Sequence, residues 1–322
     1  MTQQSIDRFL PLIDEFVGFV KRAFLAKIVV AFLLFTFLLL AIIGFFLGID
    51  FLTAFSIAMC TAFAFCWYLI RVYIKDGAVK HAISLTRRVE ESCEGFDEKS
   101  LAHLFSRLAL SIRCLPTRLF DWKPEWLSAP CNQILGYLAW VPLHTLAEVL
   151  FFSSIDHHIQ QIKETPTNLQ DHASLANCYI MLANHYQEPL KAIHLMTWPK
   201  IFLSSSLKEA LETKSRASSN SAIEELTILS SFAPDELWVH DQLAISYREL
   251  EMPEKEIEEC EAIIRLCPDD DQALLRLGVL YFRQNKNAKG LQVFERLKSI
   301  QPLLAEELIS HYGAYKPILL ST

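Results

Sequence analysis

Residues 237–270, LWVHDQLAISYRELEMPEKEIEECEAIIRLCPDD, and residues 271–304, DQALLRLGVLYFRQNKNAKGLQVFERLKSIQPLL, decide the fold when one is laid under the other. Leu243 falls over Leu277, Ala244 over Gly278, Tyr247 over Tyr281, Cys260 over Phe294 and Ile263 over Leu297. Pro234, Pro268 and Pro302 recur at the same spacing of 34 residues. Self-similarity at a fixed period of this size marks stacked units, each burying its apolar face only against its neighbours.

The run Leu277-Gly278-x-x-Tyr281, followed by Gly290, Phe294, Leu297 and Pro302, resembles the tetratricopeptide (TPR) repeat, as does Leu243-Ala244-x-x-Tyr247 with Cys260, Ile263 and Pro268. Two positions depart from that family. Its alanine between the helices is Glu256 in one unit and Gly290 in the other, and its leading Trp is His240 or Leu274. The resemblance implies an α-solenoid whose first helices line a groove for a peptide. Carried over position by position, the groove residues are Trp238, Asp241, Ile245, Arg248 and Glu249, then Gln272, Leu275, Val279, Phe282 and Arg283. The family's lysine–asparagine clamp for a C-terminal carboxylate is not reproduced; only Asn177 stands where one of its members would.

One period back, residues 203–236 keep Ala210, Ala222, Leu226 and Leu229, but Glu209 and Thr213 replace large apolar residues. Seven serines between 204 and 221 predict a loop or frayed helix there. Residues 169–202 keep Leu175-Ala176-x-x-Tyr179, Ala192 and Leu195, with Asn177, Ile180 and Met181 on the groove side. These are read as two degenerate units, and 305–322 as a closing helix and tail. Residues 71–168 read as a helical, membrane-proximal region. Within it, 134–152 is nearly all apolar, but Pro142, His144 and Glu148 disfavour a third span. Trp122 and Trp126 flank a loop that either buries against the repeats, the preferred reading, or touches lipid headgroups.

Working back to the N-terminus, Ile28 to Ile49 are 22 residues without a charge, sixteen of those between 28 and 47 being Leu, Ile, Phe or Val. At about 1.5 Å per residue this reaches about 33 Å, against a hydrocarbon core of about 30 Å. A second uncharged run covers Phe51 to Ile70 and carries Ala54, Ala58 and Ala62 on one stripe, with Gly44 and Gly48 across the turn. Small residues let membrane helices approach closely, so this stripe predicts the packing face of a transmembrane hairpin; homodimerisation through it is the rival. Trp67 and Tyr68 then Arg71 end the span as an aromatic belt and anchor. Basic residues flank the pair (Arg8, Lys21, Arg22 and Lys27 before; Arg71, Lys75, Lys80, Arg87 and Arg88 after), which places both ends in the cytoplasm. A cleavable signal peptide does not fit so long an apolar run preceded by Asp7, Asp14 and Glu15. Residues 1–27, with Phe9, Leu12, Ile13, Phe16, Val17 and Val20 on one face, read as an amphipathic segment that either lies on the bilayer, the preferred reading, or extends the first span inward.

Composition supports this division. Residues 71–90 carry five basic and two acidic groups, whereas 91–322 carry 21 basic and 31 acidic, which excludes a phosphate-binding body for nucleic acid. Nine glycines form no GxGxxG, GxxxxGK[ST] or GxSxG. Eight cysteines at irregular spacing read as reduced thiols, and no HExxH or paired histidine at helical spacing suggests a metal. The reading is therefore an all-α, non-enzymatic, cofactor-free adaptor: an N-terminal transmembrane hairpin followed by a TPR-type solenoid that holds a protein partner. The layout resembles bacterial inner-membrane proteins with two N-terminal spans and cytoplasmic TPR units, in assembly, secretion or regulation of membrane complexes. It also resembles the bilobed hairpin of inclusion-membrane proteins that intracellular bacteria secrete. A membrane-bound enzyme or enzyme subunit with a site in 91–168 is the alternative of another class.

Overall fold

The computed structural model describes residues 9–93, 95–112, 125–195 and 205–314, with the backbone alone at Leu10, 125–139 and 192–195. Among them every regular element is an α-helix. These are α1 Leu10–Leu47, α2 Asp50–Ser92, α3 Glu98–Ile112, α4 Glu125–Glu164, α5 Leu169–Leu195, α6 Ser205–Phe232, α7 Leu237–Glu249, α8 Pro253–Leu266, α9 Asp271–Arg283, α10 Asn287–Ile300 and α11 Pro302–Ser310. The protein is an all-α helical-repeat chain led by two apolar helices. Its contacts divide it into two compact units, Met1–Gln161 and Ile162–Thr322.

In the first unit α1 and α2 form an antiparallel hairpin. Gly48 turns the chain between them: it caps α1 in the left-handed conformation, φ 67°, and its own N–H returns to Phe45 O. Both helices are long and apolar enough to cross a membrane. At about 1.5 Å per residue they reach about 57 and 65 Å, roughly twice the thickness of a hydrocarbon core. The side chains show where. Between residues 28 and 70 many of the large apolar groups point outward, with Phe32 65% and Phe51 83% exposed. Outside that band Ile13, Phe16 and Val20 on α1 and Ile74, Ala82, Leu85 and Val89 on α2 are buried. Of the two readings of the N-terminal segment, the structure takes the extension: residues 10–27 are the first five turns of α1, continuous with the apolar span. Its apolar face is covered by protein: the Phe19 ring stacks on His81 at 4.3 Å, and a Cβ on Gly77 would stand 2.7 Å from that ring.

Helix α3 buries Leu101, Leu104, Phe105, Leu108 and Ile112, an i, i+3, i+4, i+7 stripe, and α4 buries Leu143, Leu146, Leu150, Phe151 and Ile155. The two are tied by Ser154 Oγ, which donates to Ala102 O at 2.7 Å. His157 of α4 lies 2.5 Å from Glu98 and 3.5 Å from Glu90, linking the starts and ends of its neighbours. Trp122 lies outside the described residues; Trp126 falls in the first turn of α4.

In the second unit the 34-residue pattern becomes helix pairs, with one departure. Residues 237–270 give α7 and α8, and 271–304 give α9 and α10, of 13 or 14 residues each. Residues 169–202 and 203–236 do not form two further pairs. Each yields one long helix, α5 with 27 residues and α6 with 28, and together they make a single elongated pair. The serine-rich stretch, expected as a loop or frayed helix, is helical from Ser205; Ser215, Ser218 and Ser219 face inward, where small side chains let α6 lie close to α5.

Three apolar clusters fasten the stack. Ala176, Leu226 and Leu229 meet Val239, Leu243 and Tyr247; Ala244, Ile257, Cys260 and Ile263 meet Leu277, Leu280 and Tyr281; Leu274, Phe282 and Leu297 meet Ala305 and Leu308 of the closing helix α11. The closing helix is needed because the last pair would otherwise expose an apolar face.

Candidate protein-binding surface

A cavity of about 560 Å3 opens between the first turns of α7 and α9. Its walls are Leu237, Trp238 and Asp241 from α7 and Gln272, Ala273 and Arg276 from α9; Glu236 and Asp270 stand at the helix starts, and Cys260 and Ile263 of α8 form the floor. The geometry follows from the local sequence. Asp270 caps α9, its carboxylate accepting from Ala273 N at 3.0 Å, and Glu236 begins α7 in extended conformation, so the two first turns present their side chains to the same space.

Three residues expected from sequence therefore meet here: Trp238, Asp241 and Gln272. Trp238 is 38% exposed, and Gln272 is exposed. Ile245 and Val279 are half-buried further along the two helices, Arg248 and Arg283 are exposed beyond them, and Asn177 is exposed on α5. Phe282 differs. It is 2% exposed, packed in the closing cluster against Tyr312, and a Cβ on Gly290 would lie 2.4 Å from its ring. The glycine replacing the family's alanine makes a socket, and Phe282 fills it instead of lining a groove.

Arg276 was missed by position matching, and its partner explains the other departure from the family. Glu256, standing where the repeat has a small residue, is buried with its side chain 3% exposed. Arg248 Nε donates to its carboxylate at 2.8 Å, Arg276 donates to it at 3.3 Å, and Arg276 also reaches Asp241 at 3.4 Å. A buried carboxylate needs compensating charge of this kind. Arg248 and Arg276 thus belong to an internal network that also sets one wall of the cavity. The signal in the sequence was the anomalous Glu256 itself, with two arginines within reach on the adjacent first helices.

Two histidines recur in the same way. His240 has Nδ1 2.6 Å from Glu259 and Nε2 2.8 Å from Pro234 O; His172 has Nδ1 2.6 Å from Glu225 and Nε2 3.1 Å from Pro166 O. An ionised carboxylate and a carbonyl only accept, so the doubly protonated imidazole is the form that satisfies both partners. Burial opposes that charge, and the glutamate and carbonyl outweigh it, leaving both pKa values raised. Burial also pushes the Cys260 thiol up to about 11, so the cavity floor carries no reactive thiolate. Among the described residues, no three of His, Cys, Asp and Glu are grouped to hold a metal.

The hairpin residues sort differently from expectation. A Cβ on Gly44 would stand 3.0 Å from Thr53 Cγ2, so Gly44 permits close approach, whereas Gly48 has open space around it and serves by its positive φ. Ala54, Ala58 and Ala62 are exposed. The inward face of α2 is instead Leu52, Ser56, Met59 and Phe63, and the Phe37 ring of α1 meets Phe63 at 5.5 Å and Phe55 at 6.3 Å.

No protein-family model matches this sequence, and no curated protein matches it. Among solved structures, MamA MSR-1 C2 is similar at 12% identity over 74% of this chain and 96% of that one, with a TM-score of 0.32. That likeness is too loose to carry an argument.

Proposed function

We propose that the protein is a membrane-anchored helical-repeat adaptor, without catalytic chemistry of its own, that holds a polypeptide at the cytoplasmic face of a bacterial inner membrane. The observation that carries this is the cavity between α7 and α9. Its exposed Trp238 and Gln272 lie beside an ordered Asp241–Arg276 pair, a mixture of aromatic, polar and fixed charged groups suited to an extended or helical segment with one apolar anchor. The outward-facing apolar band of α1 and α2, with a basic collar on its open side, supports the anchor and its orientation. Tethering confines encounters to a thin layer and raises effective concentration without new contacts, which suits assembly, secretion or regulation of membrane complexes.

The test is site-specific photocrosslinking of the full-length protein in its native membrane. A photoreactive residue at position 238 or 272 is expected to capture the same polypeptide, whereas one at the exposed Glu295 of α10 is not. Equal capture from all three positions, or none from 238 and 272, would remove the cavity as the binding surface.

A further inference from the structure

We infer that the cavity between α7 and α9 takes a basic polypeptide segment, with an arginine side chain at its mouth beside the apolar anchor on its floor. This names the partner's chemistry and rests on the reading of that cavity as the binding surface. Trp238 and Asp241 are three residues apart on α7, and Gln272 and Arg276 four apart on α9, so each helix turns one stripe to the cavity. Glu236 and Asp270 stand one 34-residue period apart, which puts a carboxylate at the start of each wall.

The charges of this lining do not cancel. Arg276 is its one basic residue, and it is already engaged: it reaches Asp241 at 3.4 Å and the buried Glu256 at 3.3 Å. Glu256 also accepts from Arg248 at 2.8 Å. Two arginines thus answer two carboxylates, and Glu236 and Asp270 are left over. Asp270 accepts from Ala273 N at 3.0 Å, and Glu236 makes no capping bond with its side chain. Among the described residues neither has a basic side chain at ion-pair distance. The two helix starts contribute about half a positive charge each, together about one, against two whole negative charges. The mouth therefore favours a cation. The exposed Trp238 supplies a ring face on which a guanidinium stacks, and the guanidinium fork suits carboxylates on both sides, which a lysine's point charge matches less well. Cys260 and Ile263 form an apolar floor, so the same segment brings an apolar residue next to its arginine.

The test uses full-length protein in nanodiscs of phosphatidylcholine, which carries no net charge. Peptides are selected on it from a phage-displayed library of random dodecapeptides, with empty nanodiscs as the subtraction. The retained peptides should be enriched in arginine adjacent to an aliphatic or aromatic residue. The most enriched sequence is then made synthetically, labelled with a fluorophore and titrated by anisotropy. Its affinity should fall about tenfold in Glu236→Gln/Asp270→Asn, which keeps a capping side chain at 270, and by a similar factor in Trp238→Ala. It should be unchanged in Glu254→Gln/Glu295→Gln, which removes the same charge from exposed positions outside the cavity. Enrichment of acidic peptides, or no enrichment, would overturn the proposal. Equal loss in the two charge variants would overturn it as well, leaving diffuse attraction to an acidic body, and equal affinity with lysine in place of arginine would replace the guanidinium by a bare cation. A peptide that weakens in Trp238→Ala but not in Glu236→Gln/Asp270→Asn would remove the arginine and leave the cavity as the binding surface. One indifferent to both cavity variants would remove the cavity too.

Discussion

The elongated pair α5–α6 and the compact pair α7–α8 share one joint and differ in everything built above it. In each, a histidine early in the first helix is held between a proline carbonyl six residues earlier and a glutamate of the second helix: Pro166, His172 and Glu225 in one, Pro234, His240 and Glu259 in the other. The first two are offset by two periods and the glutamates by one. The extra 34 residues therefore lengthen both helices of the first pair without disturbing its base. Register at the base is set by this joint and by the cluster of Leu226, Leu229, Val239 and Leu243; helix length above it is free to vary. The position where the two helices of a unit touch varies too. It is Ala222 in α6, Glu256 in α8 and Gly290 in α10, all buried.

That shared position offers the sharpest ways to break the comparison. The largest effect is expected from Arg276→Ala, which removes charge from the buried Glu256 and should cost about 3–5 kcal/mol. Glu256→Ala/Arg276→Ala, which restores a small residue as in α6, should recover most of that loss. Hydrogen exchange across α7–α10 reads both. If the single and double variants lose protection equally, the Glu256 network is not what distinguishes the compact pair.

Gly290→Ala comes next. Its new Cβ meets the Phe282 ring at 2.4 Å, an overpacking expected to cost about 2 kcal/mol. The reciprocal Ala222→Gly in α6 should cost about 1 kcal/mol, from helix propensity alone. Thermal unfolding of the full-length protein in detergent compares the two, and a neutral Gly290→Ala would show that the socket is not specific to this pair.

The smallest effect is the one the pairs share. Both histidine pKa values are raised above 6.5 in the folded state. Their contribution is therefore fully present below about pH 6.5 and is lost as pH rises through the raised values. Unfolding midpoints should fall as the medium is made mildly alkaline, and His172→Gln/His240→Gln should flatten that dependence. An unchanged slope in the double variant would show that the joint is held by packing instead of charge.

Periodicity was legible because it reports burial along a single helix, and so the helix class, the paired helices after residue 237, the closing helix and the apolar hairpin all followed from spacing. The lining of the proposed surface was legible in part. Trp238, Asp241 and Gln272 follow from their place at the start of each first helix, whereas Arg276 and the burial of Phe282 depend on what stands at positions 256 and 290 of a neighbouring helix. The stripe of Ala54, Ala58 and Ala62 was legible as a pattern, but its direction was not, since the phase of α2 is set by the Gly48 turn and by Phe37 reaching across.

The chain alone determined where apolar groups recur and where charge is absent, because those are properties of one strand of residues read in order. Only the tertiary structure decided that two periods merge into one long pair, that Glu256 is met by two arginines, and which face of α2 is turned inward. Each of those is settled by side chains distant in sequence competing for the same space, and by the cost of leaving a buried charge or an empty volume unfilled.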